Sequence, residues 1–146
     1  MDSNECLDFS FENAVSFLKE KDNYIILTHA SPDGDTLGAA YALYYGLKQL
    51  GKTAEVICPD LIPSKYAYFA SDTDHVSRDG ATVVAVDVAD KRLLGTLENE
   101  FGYCVDLNID HHISNVRYAK ALLLDVGASA TCEIIYELLL GLNVKI

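Results

Sequence analysis

Short apolar runs recur along the chain and alternate with segments whose apolar residues follow helical spacing. The runs are rich in β-branched side chains and are apolar throughout, which predicts strands covered on both faces rather than half-exposed ones. The predicted strands comprise residues 24–28, 53–58, 82–88, 103–110 and 119–125.

Three longer segments have one apolar face at helical spacing. They are residues 11–23, 37–47 and 131–139. Gly51 and Gly141 follow the second and third segments and predict their C-terminal caps. Residues 90–99 and, more briefly, 64–70 also have helical patterns. Because strands alternate with helices, we expect a three-layer α/β/α domain with a mainly parallel sheet of about five strands.

The charge balance is strongly acidic and narrows the range of partners. The 146 residues include 22 Asp and Glu but only 11 Lys and Arg, a formal net charge of −11. Such a surface repels phosphate backbones, so we do not expect this chain alone to form a broad nucleic-acid groove. Carboxylates that hold divalent cations would explain part of the excess, because each cation cancels two charges locally.

The cysteines predict a reducing compartment. Cys6, Cys58, Cys104 and Cys132 are widely separated, without the C-x-x-C pair of a zinc cluster or redox dithiol. We therefore expect four reduced and mostly buried thiols in a cytoplasmic protein. Residues 1–10 lack the apolar core of a signal peptide, and no apolar run approaches the roughly 20 residues that span a bilayer. A membrane partner is accordingly not expected.

Ionisable side chains crowd the ends of three predicted strands. In parallel α/β sheets the carboxyl ends of the strands meet at one edge, where ligands bind. We therefore expect the three clusters to converge. They consist of His29, Asp33 and Asp35 after the first strand, Asp87 at the end of the third, and Asp110, His111 and His112 at the end of the fourth.

Each cluster taken alone has a simpler structural explanation. Asp33 or Asp35 fits a helix N-cap, and Asp87 fits a cap of the turn after its strand. A lone histidine is more often a surface residue than a ligand, and His75, in a polar loop, has no assigned role. The agreement of three independent positions favours a metal site, because imidazoles and carboxylates that converge on one edge have few structural explanations.

The donor set predicts the kind and number of ions. Carboxylates and imidazoles without thiolates suit Mn²⁺ or Mg²⁺, and also iron or Co²⁺, better than structural zinc. Three aspartates and two histidines exceed the needs of one catalytic ion and fit two ions, about 3.5–4 Å apart, that share a carboxylate. Such a pair activates a water molecule and binds a phosphoryl group. Gly34 and Gly38 would keep the first turn slim enough for ions and substrate to approach.

Four stretches together resemble the DHH phosphoesterase family of the RecJ-like superfamily. They are "THASPDGDTLGAAYAL", "VVAVDVAD", "NIDHHISN" and "GASATCEIIYELL", and the resemblance covers residues 24–142. The P-D-G-D turn and the Ser-Asn pair after the DHH triplet are similar to the nanoRNase/pAp phosphatase branch. Members of that branch hydrolyse very short oligonucleotides and 3′-phosphoadenosine 5′-phosphate (pAp), and relatives cleave cyclic dinucleotides.

The resemblance implies a role for each residue of the site. Two Mn²⁺ ions, with Mg²⁺ or Co²⁺ as alternatives, would be bound by His29, Asp33, Asp35, Asp87 and His111. Asp87 would bridge both ions, and Asp110 would orient a ligand imidazole. His112 would act with Asp110 in catalysis and face the substrate phosphate as a hydrogen-bond donor or acid. Asn115 would support this loop or bind phosphate.

The resemblance also implies how the chain is organised. Residues 1–146 correspond to the N-terminal DHH catalytic domain. Family members carry a further metal-binding aspartate in a fourth motif and a C-terminal DHH-associated domain that holds the nucleotide, and neither is in this sequence. Because residues 143–146 begin a new apolar pattern, we expect a truncated enzyme that binds metal weakly and turns over little. Its partners would be the C-terminal domain and a small nucleotide or short oligonucleotide, with a homodimer left open.

Alternatives remain for two residues and for the function. Ser129 and Thr131 fit N-terminal caps of the last helix better than site residues. Inorganic pyrophosphatase activity is a second enzymatic hypothesis, although the P-D-G-D turn argues against it. A degenerate module that kept the fold for binding or assembly is the third hypothesis, and the five intact ligands argue against that one.

Overall fold

Six strands form one parallel sheet within residues 5–146, the part of the chain that the computed structural model describes. The strands are β1 (Leu7–Asp8), β2 (Tyr24–Leu27), β3 (Ala54–Ile57), β4 (Thr82–Val86), β5 (Leu107–Asp110) and β6 (Ala121–Leu124). The α-helices are α1 (Phe11–Glu20), α2 (Gly34–Gln49), α3 (Glu98–Phe101) and α4 (Thr131–Gly141), and 3-10 turns lie at Ser64–Tyr66 and Lys91–Leu97. The strand order is β1-β6-β5-β4-β2-β3, and every neighbouring pair is parallel.

The predicted α/β class is confirmed, with the five predicted strands present and one more at the edge. The additional strand, β1, pairs with β6 through the N–H of Leu7, which donates to the carbonyl of Lys120 at 2.9 Å. Both residues of β1 are exposed. An exposed strand of two residues has no apolar run, which is why the sequence pattern does not reveal it.

Alternate residues of the central strands pack into two different hydrophobic clusters. On β2, Tyr24 and Ile26 pack with α1, α2 and α4, whereas Ile25 and Leu27 pack on the opposite face. That second face is covered by a thinner layer, which includes Lys91–Leu97 and α3. The central strands are therefore buried on both sides, as their continuous apolar runs predict.

The helix predicted over residues 90–99 is only partly correct, because the segment consists of 3-10 turns at Lys91–Leu97 and the start of α3 rather than one regular helix. Gly95 lies within the 3-10 turns at Lys91–Leu97 and adopts φ 58° and ψ −125°, a conformation that is essentially restricted to glycine. A Cβ atom at Gly95 would lie 3.1 Å from the Cβ of Ala30, and the Ala30 N–H donates to the Leu93 carbonyl at 2.7 Å. This segment is thus held against the loop after β2, a long-range contact that helical periodicity does not encode.

One of the two predicted glycine caps is confirmed. Gly51 has φ 78° after α2, and the neighbouring Lys52 N–H donates to the Leu47 carbonyl at 3.1 Å, as in a Schellman motif. Gly141, however, is the last residue of α4, and the left-handed position after that helix belongs to Asn143, with φ 59°. Asparagine tolerates this conformation better than most residues, so the predicted end of α4 is misplaced.

Helices α2 and α4 pack closely, and two glycines of α2 allow the approach. A Cβ atom at Gly46 would collide with the side chain of Leu139 in α4. A Cβ atom at Gly38 would lie 3.0 Å from the Sγ of Cys132, also in α4. The predicted role of Gly38 in keeping the first turn slim is therefore wrong, since this glycine faces a neighbouring helix. The close packing brings the N-terminus of α4 to the N-terminus of α2.

The cysteines are less buried than the sequence predicts. All four cysteines are free thiols, but Cys104 is exposed and the others are only partly buried, so the prediction of mostly buried thiols is wrong. None of the helices within residues 5–146 is long and apolar enough to cross a bilayer. Residues 1–4, part of the segment in which the sequence predicts no signal peptide, lie outside the described residues.

Replacing Gly95 by alanine should destabilise the protein by about 1–3 kcal/mol, because the new Cβ would meet Ala30 in a backbone conformation that alanine disfavours. Chemical denaturation followed by circular dichroism measures this change. Gly80→Ala is the matched control, because Gly80 also has a positive φ of 75° but a Cβ there would meet nothing within 4 Å. If both variants lose the same stability, the contact with Ala30 is not a constraint on the fold.

Candidate metal centre

The three ionisable clusters lie at the carboxyl ends of β2, β4 and β5, which are adjacent in the sheet. His29 follows β2, Asp87 directly follows β4, and Asp110 is the last residue of β5. In the sheet, β2 lies between β3 and β4, so the strand order changes direction at β2. The three clusters lie around this point, where ligands bind in α/β sheets. The structure therefore brings the three clusters together, as the sequence predicts.

The imidazole of His29 is oriented by a backbone hydrogen bond. Its Nδ1–H donates to the carbonyl of Ala30 at 2.7 Å. Its Nε2 lies 3.5 Å from Oδ1 of Asp33 and 3.5 Å from Oδ2 of Asp87. Because Nδ1 is occupied, Nε2 is the nitrogen available to a cation, as is usual for histidine ligands with a second hydrogen bond.

Asp33 both caps a helix and faces the site. Its Oδ1 accepts the N–H of Thr36 at 3.0 Å, so Asp33 is the N-cap of α2, as the simpler explanation predicts. The same oxygen also lies near His29. The hydroxyl of Thr36 donates to the carbonyl of Val86 at 2.9 Å and accepts the N–H of His29 at 3.3 Å. This threonine thereby joins the loop after β2, the first turn of α2 and the end of β4.

Asp35 caps a different helix from its own. Its carboxylate accepts the N–H of Thr131 at 3.0 Å and the N–H of Cys132 at 2.9 Å, the first two residues of α4. The N-cap residue of α4 is Ala130, which has no capping side chain, so the prediction that Ser129 and Thr131 cap this helix is wrong. Instead, Ser129 donates both its N–H and its hydroxyl to the Glu133 carboxylate.

Asp87 is the most buried carboxylate among the predicted metal ligands, with 3% of its surface exposed. Its backbone has a left-handed φ of 64°, and its N–H donates to the carbonyl of Ile109 at 2.9 Å. The hydroxyl of Thr131 donates to its Oδ1 at 2.9 Å. Asp87 is thus held by β5 and by α4, while its two carboxylate oxygens face the site.

The two adjacent histidines approach the same carboxylates from the side of β5. Nε2 of His111 lies 3.5 Å from Oδ2 of Asp35 and 3.6 Å from Oδ1 of Asp87. The rings of His111 and His112 are 4.3 Å apart between centroids and are tilted by 48°. His111 is the more enclosed of the two, with 21% of its side chain exposed against 42% for His112.

Two groups of ligand atoms are close enough for a metal ion, and Asp87 belongs to both. His29, Asp33 and Asp87 form one group, and Asp87, His111 and His112 form the other, with the ligand atoms of each group within 4.8 Å of one another. Oδ2 of Asp87 faces His29, and Oδ1 faces His111. The arrangement fits a carboxylate shared by two cations. Metal binding by the five predicted ligands stays a prediction.

His112 is oriented by a buried carboxylate, whereas His29 is oriented by a backbone carbonyl. The Asp110 carboxylate, which is fully buried, accepts from Nδ1 of His112 at 2.6 Å. The other oxygen of Asp110 accepts from the amide of Asn115 at 2.8 Å, and the same amide donates to Oδ1 of Asn108 at 2.8 Å. A chain of buried polar groups therefore sets the orientation of the His112 ring and leaves its Nε2 free of this network.

Asn115 has the contacts of a residue that supports the loop. Its Nδ2 makes the two bonds described above, and its Oδ1 accepts the N–H of Arg117 at 2.8 Å. These inward hydrogen bonds favour the supporting role, and its predicted contact with substrate stays untested.

Sequence reasoning misses Thr36 and Asn108 as residues of the centre, and it assigns Thr131 to a helix cap instead. The sequence does contain a signal for Asn108, because it is a polar residue in the apolar strand β5 and shares a face with Asp110 two positions later. The two threonines left none, because a hydroxyl near the start of a helix is common.

Protons compensate part of the negative charge in the centre when cations are absent. Hydrogen bonding with Asp87 raises the pKa of His29 to about 9. Burial, together with the nearby Asp35 carboxylate, raises the pKa of Asp87. Burial also disfavours the charge of Asp35, but the N–H groups of Cys132 and Thr131 outweigh it and lower the pKa of that carboxylate. Divalent cations would supply the same compensation.

A sequence model of the N-terminal domain of the DHH family matches residues 23–145. The chain belongs to the DHH family. The match contains all of the ionisable residues of the centre.

Two curated relatives of this DHH domain share one name, bifunctional oligoribonuclease and PAP phosphatase NrnA. The protein from Thermus thermophilus is 34% identical over 126 residues, which cover 82% of this chain and 37% of that protein. The protein from Bacillus subtilis is 27% identical over 124 residues, which cover 82% of this chain and 38% of that protein. The chain thus spans little more than a third of the length of these relatives.

A solved structure has the same fold as this DHH domain. It is a protein from Bacteroides fragilis described as related to exopolyphosphatases, and it superimposes with a TM-score of 0.78 at 19% sequence identity. The match covers 91% of this chain and 43% of that protein. At this level of identity the comparison establishes the fold alone.

The metal-free DHH domain should lose stability as the pH rises through the titration of His29. The pKa of His29 is raised from 6.5 to about 9, so the folded chain holds this proton more tightly than the unfolded chain does. The resulting stabilisation is complete below about pH 6.5 and is lost toward pH 9. In the presence of EDTA, we expect the free energy of unfolding, measured with urea, to fall by about 1–3 kcal/mol over this interval.

His29→Gln is the comparison for that measurement, because it removes the titrating group and leaves the other ionisable residues in place. The variant should show a shallower dependence on pH between the two limits. Equal pH dependence in both proteins would contradict a stabilising contact between protonated His29 and the Asp87 carboxylate.

Proposed function

We propose that this DHH domain is the metal-binding catalytic part of a phosphoesterase that acts on small nucleotides. The substrate class comprises short oligoribonucleotides, pAp and cyclic dinucleotides. The observation that carries the proposal is the shared position of Asp87, whose two oxygens face different groups of ligand atoms. The name of the curated relatives supports short oligoribonucleotides and pAp as substrates.

The donor set fits divalent cations with a preference for oxygen and nitrogen, and we propose Mn²⁺, with Mg²⁺ or Co²⁺ as alternatives. The one thiol next to the site is not a competing ligand. Cys132 donates its S–H to the backbone carbonyl of Asp35 at 3.4 Å, and burial raises the pKa of this thiol to about 12. Two bound cations would supply Lewis-acid activation of a water molecule and neutralise charge on a phosphoryl group.

We assign each residue of the site a function from its position. His29, Asp33, Asp35, Asp87 and His111 would hold the cations. His112, with its Nδ1 fixed by Asp110 and its side chain 42% exposed, is the group best placed to carry a proton on Nε2 to a leaving oxygen. Asp110 would act on the reaction through this histidine, and Asn115 would act through Asp110.

The acidity of the chain indicates that binding of a phosphorylated substrate needs positive charge that this chain does not supply. A net charge of −11 repels phosphates, and bound cations offset only part of it. Because the chain spans 37% of the length of its relative from T. thermophilus, we propose that a second domain of the same enzyme supplies basic groups across the site. The proposal keeps the cytoplasmic location expected from the cysteine pattern and leaves a homodimer open.

Replacing Asp87 by asparagine should weaken Mn²⁺ binding by at least about tenfold, because it removes the charge that both ligand groups share. Isothermal titration calorimetry on the 146-residue chain measures the affinity and the number of ions bound. Asp79→Asn is the matched control, because Asp79 is exposed and precedes β4 at the other edge of the sheet. Unchanged affinity in the Asp87 variant would refute a shared ligand.

Replacing His112 by asparagine should lower kcat for pAp by about 10²–10⁴-fold, because the proposed proton donor is lost. Mn²⁺ affinity should change little, because Nδ1 of His112, the nitrogen nearest Asp87, is already bonded to Asp110 and His112 is not one of the five proposed ligands. The assay uses the protein encoded by the complete reading frame that contains these residues. It measures the phosphate that this protein releases from pAp. Pyrophosphate in place of pAp tests the second enzymatic hypothesis. Hydrolysis of neither compound, with Mn²⁺ still bound, would favour a non-catalytic module.

A further inference from the structure

The loop that follows β3 leaves the sheet at the same edge as the metal centre. β3 pairs in parallel with β2, so the carboxyl ends of these strands are neighbours. The Asp60 carboxylate in this loop accepts the N–H of Ser31 at 2.7 Å, and Ser31 lies between His29 and Asp33 in the chain. The loop therefore borders the turn that carries two of the predicted ligands.

Aromatic side chains of this loop cluster against α2. The ring centroid of Phe69 lies 5.9 Å from that of Tyr66, 5.0 Å from that of Tyr68 and 5.8 Å from that of Tyr41, which belongs to α2. The hydroxyl of Tyr45 donates to the carbonyl of Phe69 at 2.7 Å and anchors the loop to the helix. Contacts with α2 thus hold the aromatic cluster in place.

Between this loop and α2 lies a cavity of about 410 Å³, which we call the aromatic groove. Its volume is within the range of about 300–1,000 Å³ that is usual for small-molecule sites. The residues that line it include Gly34, Gly38, Tyr41, Tyr66, Tyr68 and Phe69.

Gly34 connects the aromatic groove with the metal centre. It stands between Asp33 and Asp35 in the chain, so its Cα lies about 3.8 Å from the Cα of each. A Cβ atom at Gly34 would lie 3.5 Å from the ring of Tyr66. Because this position carries no side chain, the groove continues to the turn that bears both carboxylates.

The exposure and charge of the aromatic groove suit an anionic ligand with a flat ring. Tyr68 is 86% exposed, so its ring is accessible to a ligand in the groove. The ammonium group of Lys65 lies 5.1 Å from the ring centroid of Tyr66, so a cation accompanies the aromatic surface of an acidic chain. Aromatic side chains bind nucleic-acid bases by stacking, largely without regard to base identity.

We propose that the aromatic groove stacks the base of a nucleotide whose phosphate lies at the metal centre. This inference rests on the proposed function and adds a base-binding subsite formed by this chain itself. Tyr66 is the central residue, since its ring is the one next to Gly34. Recognition by stacking implies weak discrimination among bases but clear discrimination against phosphorylated sugars that lack a base.

The test compares AMP with ribose 5-phosphate, which lacks the base. Each is titrated into the 146-residue chain with Mg²⁺, and tyrosine ring resonances are followed by NMR. We expect AMP to bind about 5- to 150-fold more tightly than ribose 5-phosphate, the range for one stacked base. The resonances of Tyr66 should shift with AMP and not with the sugar phosphate.

Matched variants assign the effect to the aromatic groove. Tyr66→Leu should abolish the advantage of AMP, and Tyr66→Phe should retain it. Tyr68→Leu repeats the test at a position that is 86% exposed and so does not endanger folding. Tyr103→Leu is the control, because Tyr103 is also exposed and has the Lys91 ammonium 4.1 Å from its ring centroid, but lies outside the groove.

Two results would overturn the proposal. One is an equal advantage of AMP in wild type and Tyr66→Leu, or no advantage in either. The other is broadening of the groove resonances with protein concentration alone, which would show that a second copy of the chain occupies the groove. Failure of the proposed function is a separate result, because absence of phosphate release by the complete protein leaves the binding comparison between AMP and ribose 5-phosphate intact.

Discussion

The carboxylate of Asp87 is the group on which the rest of the centre depends. It is almost fully buried, so its negative charge is costly unless hydrogen bonds, protons or cations compensate for it. The surrounding elements all direct a polar group toward it: His29 after β2, His111 after β5 and Thr131 from α4. Its left-handed backbone is tolerated because these contacts, and the bond from its N–H to β5, determine its position.

Helix α4 belongs to the centre although it supplies no predicted ligand. Its first N–H groups bind the Asp35 carboxylate, and the hydroxyl of Thr131 binds Asp87. Gly38 and Gly46 let α4 approach α2 closely enough for these bonds to form. The packing of two helices on one face of the sheet and the geometry of the centre are therefore coupled, and cation binding to the folded chain would stabilise both.

The other face of the sheet contributes differently. The layer there is thin, and polar side chains of β5 occupy part of it: Asn108 and Asp110 share that face and are joined through Asn115. Each member of this chain of hydrogen bonds has a partner, which is the condition for burying polar groups without a large loss of stability. The outcome is a fixed His112 ring at the mouth of the centre.

The sequence by itself determined the parallel α/β class, the three strand ends that carry the centre and the residues at those ends. These follow from local pattern, because continuous apolar runs form buried strands and the ends of parallel strands share an edge. The tertiary structure alone decided that Asp35 caps α4, that Thr131 holds Asp87, that Gly95 interrupts a helical pattern and that an aromatic loop borders Gly34. Each of these is a contact between residues far apart in the chain, which local periodicity does not encode.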